Sequence, residues 1–328
     1  MRAFVTGGTG FIGGSLVRRL RERGDDVVAL VRNPEKASAL REQGVELVAG
    51  DLDDSRAIRD GLEKADAAFH VAAVYKVGIP VSERAAMTEA NVAGTERVLD
   101  AATDAGVQRI VYVSTVNAFG NTRGRIVDED YRRNVNDGFV TWYDKTKYEA
   151  HVAAEERIAK GAPIIIVQPG AVYGPGDHSE LGVIVDQAMR GKLPFISFAD
   201  TGVVMCHVDD IAAGILLAQA KGETGRHYVL GGDITTMRGI VRAAATAAGR
   251  RPPRMSMPSW AIKAGIPLAP VVTKLMGLPP NLREMVRASD GVTYWATDKR
   301  AREELGYAPR DLETGMRQLA ASVTGAPA

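Results

Sequence analysis

Short apolar runs alternate with amphipathic stretches through the first half of the chain. Continuous apolar runs at residues 3–6, 27–31, 45–49, 67–71, 110–114 and 164–168 read as strands. Between them, residues 11–23, 35–43, 55–63, 82–105 and 141–160 read as amphipathic helices. Strands buried on both faces lose the polar/apolar alternation, so this order predicts an α/β fold, a doubly wound parallel sheet with helices on both sides. Gly24, Gly44 and Gly106 each follow a helical stretch, where a left-handed residue closes a helix. Beyond Pro169 the pattern turns irregular, with Gly174-Pro175-Gly176, Pro194 and a turn at 200–202. A helix over 208–220, a strand at 227–230 and a helix over 236–248 follow, and the last four residues read as a frayed tail.

Composition narrows the classes. The 328 residues are 45% hydrophobic and 25% charged, the balance of an ordinary globular protein with a large core. With 41 basic against 40 acidic residues the net charge is +1, so nothing points to nucleic acid. The single cysteine, Cys206, excludes an internal disulfide and fits a reducing compartment. Glycine arrives at position 7, too early for a signal peptide's apolar region. No run of 18 or more apolar residues is present, so no membrane span and a cytoplasmic location are expected. No ligand spacing for a metal stands out.

Candidate chemistry begins at Thr6-Gly7-Gly8-Thr9-Gly10-Phe11-Ile12-Gly13, between the first strand and the first helix. Gly7 permits the tight turn, Gly10 lets backbone approach a pyrophosphate, and Gly13 allows close helix–strand packing. The anion would rest on the helix start at Phe11 and Ile12, where free N–H groups and the dipole favour negative charge. The context reads as a Rossmann dinucleotide site; the plainer reading is a glycine turn with no ligand. NAD sites place an acid at the end of the second strand, whereas Arg suits a 2′-phosphate. The strand here ends in Arg32, which favours NADP(H) while leaving NAD(H) open; the plainer reading is a solvated surface arginine. Asp51, closing the third strand, is placed to reach the adenine edge, or else caps the helix that starts near Ser55.

Tyr143 and Lys147 stand four apart on one helical face. Hydride transfer to a carbonyl needs a proton donor at the developing alkoxide. Free tyrosine titrates near 10, roughly three units or about 4 kcal/mol from a good match at neutrality. An ammonium one turn away would favour the phenolate and close part of that gap. Ser114 and Thr115, at the end of the fifth strand, offer a hydroxyl to hold the substrate oxygen. With nine tyrosines in the chain the spacing alone says little; its weight comes from its order after the glycine loop and the Ser-Thr pair.

These segments, with Gly50-Asp51-Leu52, His70-Val71-Ala72-Ala73, Asn91, the run from Ser114 to Gly120, the run from Gln168 to Gly176 and His207-Val208-Asp209-Asp210, make the sequence resemble the extended short-chain dehydrogenase/reductases of the epimerase/dehydratase superfamily. The resemblance spans about two-thirds of the chain. It implies Tyr143 as general acid/base, Lys147 as the group that lowers its pKa and holds the nicotinamide ribose, and Thr115 as the catalytic hydroxyl. It also places Leu52, Ala72 and Ala73 beside the adenosine half of the cofactor and Pro169 and Val172 beside the nicotinamide. Asn91 would support the active-site strands, and His207 would be structural, with Asp209 or Asp210 capping the following helix. A homodimer through the stretches 82–105 and 141–160 is implied too, with Ala150, Ala153 and Ala154 permitting close packing.

On this basis residues 1–168, completed by about 207–235, form the NADP-binding domain. Residues 169–206 and 236–312 form a smaller, mostly helical substrate domain, and 313–328 a C-terminal helix and tail. Dehydratases of the superfamily carry an Asp-Glu pair after the catalytic Thr, where this chain has Val116-Asn117. Nucleotide-sugar enzymes place a diphosphate-clamping Arg shortly before the His207 segment, and residues 202–206 hold none. The apolar, Met-rich stretch with Met255, Met257, Trp260 and Met276 would cover a lipophilic substrate or simply pack the small domain. Tyr75, Asn117, Trp142 and Phe119 flank the motifs as pocket candidates. The expectation is an NADPH-dependent carbonyl reductase, similar to the dihydroflavonol reductase and 3β-hydroxysteroid dehydrogenase branch, acting on a small-molecule ketone or aldehyde. The alternatives are a nucleotide-sugar epimerase with bound NAD and an NADP-sensing regulatory protein.

Overall fold

The fold was obtained as a computed structural model that describes residues 1–257, 260 and 282–324. Its centre is a seven-stranded sheet built from β1 (Arg2–Thr6), β2 (Asp26–Val31), β3 (Glu46–Ala49), β4 (Ala67–His70), β5 (Arg109–Val113), β6 (Ile164–Pro169) and β10 (His227–Leu230). The order is β10-β6-β5-β4-β1-β2-β3, with every pairing parallel. The order reverses beside β1, so the crevice at the carboxyl ends of β1 and β4 is the ligand position of such sheets.

Successive strand residues feed opposite faces, which is why the strands read as unbroken apolar runs. Ala3 and Val5 pack with Leu16, Val17 and Leu20 of α1 (Phe11–Glu22) and with Ile211 and Ile215 of α8 (Val208–Lys221). Phe4, Ile110, Ile164 and Ile166 pack on the other face against Ile58 of α3 (Ser55–Leu62), Val98 and Leu99 of α5 (Gly94–Asp104), and Ala150 and Ala154 of α6 (Trp142–Ala159). Each such buried aliphatic side chain contributes roughly 1.5–3 kcal/mol. The predicted caps Gly24, Gly44 and Gly106 hold φ of 85°, 74° and 74°.

The single helix expected over 82–105 is instead α4 (Val81–Thr88), a π-turn at Glu89–Ala93, and α5. The π-turn presents Asn91, whose amide accepts from Val74 N at 2.7 Å and donates to Val74 O and to Thr146 Oγ1, both at 3.0 Å. A π-turn inside a helix often marks such a local demand. Here it ties the segment after β4 to α6.

The stretch read as irregular holds more order than its pattern shows. β7 (Ala171–Tyr173) runs parallel to β9 (Gly202–His207), and β11 (Asp233–Thr236) pairs antiparallel with β9. α7 (Glu180–Met189) and α9 (Met237–Ala247) pack with the helix Leu312–Thr324 around Met189, Ile240, Val241 and Met316. Strands of two or three residues, such as β8 (Ile196–Ser197) and β12 (Ser256–Met257), leave no readable period. Ala150, Ala153 and Ala154 are buried within the chain, and Ala150 and Ala154 pack in its own core. Of the Met-rich stretch, Met255 and Trp260 are exposed, and the part from 261 to 281 lies outside the described residues. Among the described residues no helix is long and apolar enough to cross a membrane.

Candidate active site

The glycine loop closes the sheet end of β1. Gly7 has φ of 76°, and a Cβ there would lie 2.7 Å from Ala72 N. At Gly13 a Cβ would lie 2.0 Å from the Gly7 carbonyl oxygen. Both positions therefore require glycine by close approach. Gly10 starts α1 with no side-chain cap, and no acidic residue stands in the first turn. The N–H groups of Phe11, Ile12 and Gly13 thus keep their donor capacity, together with the positive end of the dipole. A pyrophosphate fits this cradle.

Arg32 follows β2 and is exposed, and among the described residues it has no ion-pair partner. Asn33 beside it is a cap, its Oδ1 accepting from Glu35 N at 3.0 Å and Lys36 N at 3.3 Å. Asp51 is exposed, and its carboxylate accepts only from Leu52 N, at 2.7 Å. The cap of α3 is Asp54, accepting from Arg56 N and Ala57 N at 3.0 and 2.9 Å, so the capping alternative for Asp51 falls. Ala72 N lies 3.4 Å from Thr6 Oγ1, and Ala73 is exposed next to it. Pro169 and Val172 stand where β6 gives way to β7.

Tyr143 and Lys147 are both buried on α6. The Lys147 ammonium donates to Val113 O at 3.0 Å and to the Tyr112 hydroxyl at 3.3 Å. Burial lowers its pKa to about 7. The same burial, reinforced by Tyr75, Asp144 and Tyr112, raises Tyr143 well above its ordinary value. The expectation that Lys147 pulls the tyrosine down is therefore reversed in this arrangement. Desolvation disfavours the phenolate, and the neighbouring Asp144 and tyrosines add to it. Tyr143 keeps its proton in the cofactor-free chain. Tyr75, mostly exposed, meets it edge-on with ring centroids 4.9 Å apart.

The two candidate hydroxyls part company. Ser114 Oγ is 3.0 Å from His151 Nδ1, on the α6 side of the sheet. Thr115 Oγ1 donates to Asn117 Oδ1 at 3.2 Å, reaches Pro169 O at 3.4 Å, and accepts from Asn117 N. Asn117 in turn donates to Asp144 Oδ1 at 3.0 Å, and the Tyr294 hydroxyl donates to Asp144 Oδ2 at 3.0 Å. Burial raises the Asp144 carboxyl despite these donors. Asp144 and Tyr294 escaped the sequence reading. Asp144 was in view beside Tyr143, but its partners come from 27 and 150 positions away.

Three further expectations are corrected. Trp142 is not free to line a pocket. Its indole N–H is 3.1 Å from both Arg84 O and Thr88 Oγ1, and the Arg84 and Lys145 cations lie over its ring, so it pins α6 to α4. Phe119 is buried in a core cluster with Val116, Val127 and Val204. α8 is capped by His207 itself, whose Nδ1 accepts from Asp209 N at 3.2 Å. Asp209 instead takes Ser15 and Arg18, and Asp210 holds Arg310 at 2.8 Å. Burial, with Arg310 nearby, lowers the His207 pKa and keeps the acceptor nitrogen available.

The NAD dependent epimerase/dehydratase family model matches residues 3–231. The chain belongs to that family. It is accordingly an NAD(P)-dependent enzyme of the extended short-chain dehydrogenase/reductase type. A Synechocystis protein provisionally named dihydroflavonol 4-reductase is 36% identical over 264 residues, 78% of this chain and 75% of that one. The 4-hydroxy-2-methyl-3-oxo-4-farnesyl-3,4-dihydroquinoline-1-oxide ketoreductase of Stigmatella aurantiaca is 31% identical over 94% of this chain and 92% of its own. The crystal structure of gox2253 superposes with a TM-score of 0.83 at 31% identity, covering 99% of both chains.

Proposed function

We propose that this family member is an NADPH-dependent carbonyl reductase for a lipophilic or aromatic ketone or aldehyde. The observation that carries the reading is Tyr143, buried on α6 one turn from Lys147, whose Nζ reaches Val113 O at the carboxyl end of β5. The Stigmatella relative, named for reduction of a farnesylated quinoline ketone, supports the substrate class.

A bound nicotinamide cofactor supplies the hydride. The rest is the work of this chain. The N–H groups at Phe11, Ile12 and Gly13 hold the pyrophosphate, Arg32 pairs with a 2′-phosphate, and Asp51 and Leu52 border the adenine. Ala72, Ala73, Pro169 and Val172 line the remaining cofactor path. Lys147 has spent two donor directions on Val113 O and Tyr112, which leaves a third N–H for the ribose. Thr115 orients the substrate oxygen, and the Tyr143 hydroxyl gives it a proton as charge develops there. Asn117, whose amide fixes the Thr115 hydroxyl, and Tyr75, across from the acid, border the substrate.

Following NADPH and NADH oxidation with aromatic ketones, β-ketoesters, aldehydes, steroids and UDP-sugars tests this. Ketone-dependent oxidation of NADPH, lost in Tyr143→Phe with NADP affinity kept, is the expected result. Interconversion of a UDP-sugar without net oxidation would instead make the protein an epimerase. Turnover retained in Tyr143→Phe would remove the assigned acid.

A further inference from the structure

On the α6 side of the sheet, three side chains converge that the reductase chemistry does not use. His151 and Glu155 stand one turn apart on α6, and His227 opens β10. Their ligand atoms all lie within 4.8 Å of one another. Both imidazoles aim Nε2 at one carboxylate oxygen, Glu155 Oε1, at 3.6 Å from His151 and 3.8 Å from His227. The rings meet edge to face at 5.1 Å. We propose that His151, Glu155 and His227 form a binding site for a divalent transition metal, zinc by preference, which fastens α6 to β10.

Three observations carry this. The donor set is two imidazoles and a carboxylate, which suits zinc and its neighbours and leaves a coordination position for water. The nitrogen–oxygen spacings, 3.6 and 3.8 Å, are near those around a bound ion. Bonds of about 2.0–2.1 Å in a tetrahedron put ligand atoms about 3.4 Å apart, a contraction of a few tenths of an ångström for the nitrogen–oxygen pairs. The orientation is already fixed from behind. Ser114 Oγ, 3.0 Å from His151 Nδ1, can accept a proton held there, the tautomer that would present Nε2 as a lone pair, and so supplies the outer partner that metal-bound histidines commonly have.

Two cations oppose the ion: Arg300, whose Nη1 lies 3.4 Å from His227 O and whose charge adds to burial in lowering that imidazole's pKa, and Arg132. Arg132 Nη2 lies 3.6 Å from the same Glu155 oxygen. Arg132 is exposed, and its Nη1 is held by Glu129 O at 3.0 Å and Tyr131 O at 3.3 Å, so a cation must displace Nη2 from Glu155 against those bonds. Metal binding therefore competes with this ion pair. Of the other three histidines, His70 is held between Thr6 and Thr95, His207 accepts from Asp209 N, and His178 belongs to no such cluster, which leaves this one as the paired-histidine site among the described residues.

Titrating chelator-treated full-length protein with zinc, in a calorimeter and by thermal melting, reads the site directly, and cobalt gives a visible spectrum of its ligands. The expected result is one equivalent bound, a raised Tm, and cobalt bands characteristic of a nitrogen/oxygen site. His227→Gln should lose more than about 100-fold in affinity and Ser114→Ala about 10-fold, while Arg132→Ala should bind more tightly. Melting of each metal-free variant checks its folding. No saturable uptake by the wild-type chain overturns the proposal, as does uptake unchanged in a folded His227→Gln.

Discussion

At the scale of single residues, burial decides the character of the proposed catalytic pair. Lys147 in water titrates at 10.5, and in the fold its pKa falls to about 7. Below pH 7 the ammonium is charged both in the fold and in the unfolded chain, and the cost of burying it is felt in full. Between 7 and 10.5 the unfolded chain holds more protons, so this group makes stability rise with pH across that window. Lys147→Met removes the cost and should raise the Tm of the cofactor-free protein. The gain should be greatest near pH 6, a few kcal/mol at most by order of magnitude, and fade towards pH 10. Loss of the bond to Val113 O trims it. Melting curves across that range check the prediction, and a gain that does not depend on pH would contradict it. Turnover in the same variant should collapse.

At the scale of elements, the strand–loop–helix unit at the N-terminus separates packing from binding. Gly13→Ala drives a methyl to 2.0 Å from the Gly7 carbonyl, so the loop must move away from its strand. The expected outcome is a destabilisation of about 1–3 kcal/mol with cofactor affinity lost. Gly10→Ala meets only the Gly7 oxygen, at 3.2 Å. Its Tm should stay near the wild-type value while NADP binding weakens, because the new methyl stands where backbone would approach the pyrophosphate. Denaturant melts paired with cofactor titrations distinguish the two, and equal effects on both would refute the division. The π-turn at Asn91 belongs to this scale too. It was legible as a helix but not as a break, since the demand for it comes from Val74 and Thr146.

At the scale of the whole molecule, the chain's last quarter reaches into the site. Tyr294 meets Asp144 one residue from the proton donor, and Thr293 O accepts from Thr122 N at 2.7 Å on the loop after Gly120. Tyr294→Phe leaves a buried carboxylate oxygen without its donor, a loss of about 1–3 kcal/mol. It should also loosen Asn117 and hence Thr115, lowering kcat more than cofactor affinity. Urea unfolding and steady-state kinetics measure the two effects. Unchanged kcat in a folded variant would show that the Asp144 knot does not reach the active hydroxyl.

What the sequence determined by itself was whatever has a local or periodic cause. Unbroken apolar strands follow from burial on both faces, the glycines at 7, 10 and 13 from a loop pressed against its neighbours, and the Tyr143–Lys147 pairing from one helical turn. Thr115, read from its place in a motif, does stand apart from Ser114 in its hydrogen bonds. Tertiary structure decided the rest. It engaged Ser114 with His151, drew Asp209 to Ser15 and Asp210 to Arg310, turned Trp142 into a strut and made Lys147 a weak base. It also brought His227 to His151 and Glu155. Each of these depends on burial or on partners far apart along the chain, and neither has a period that a sequence can display.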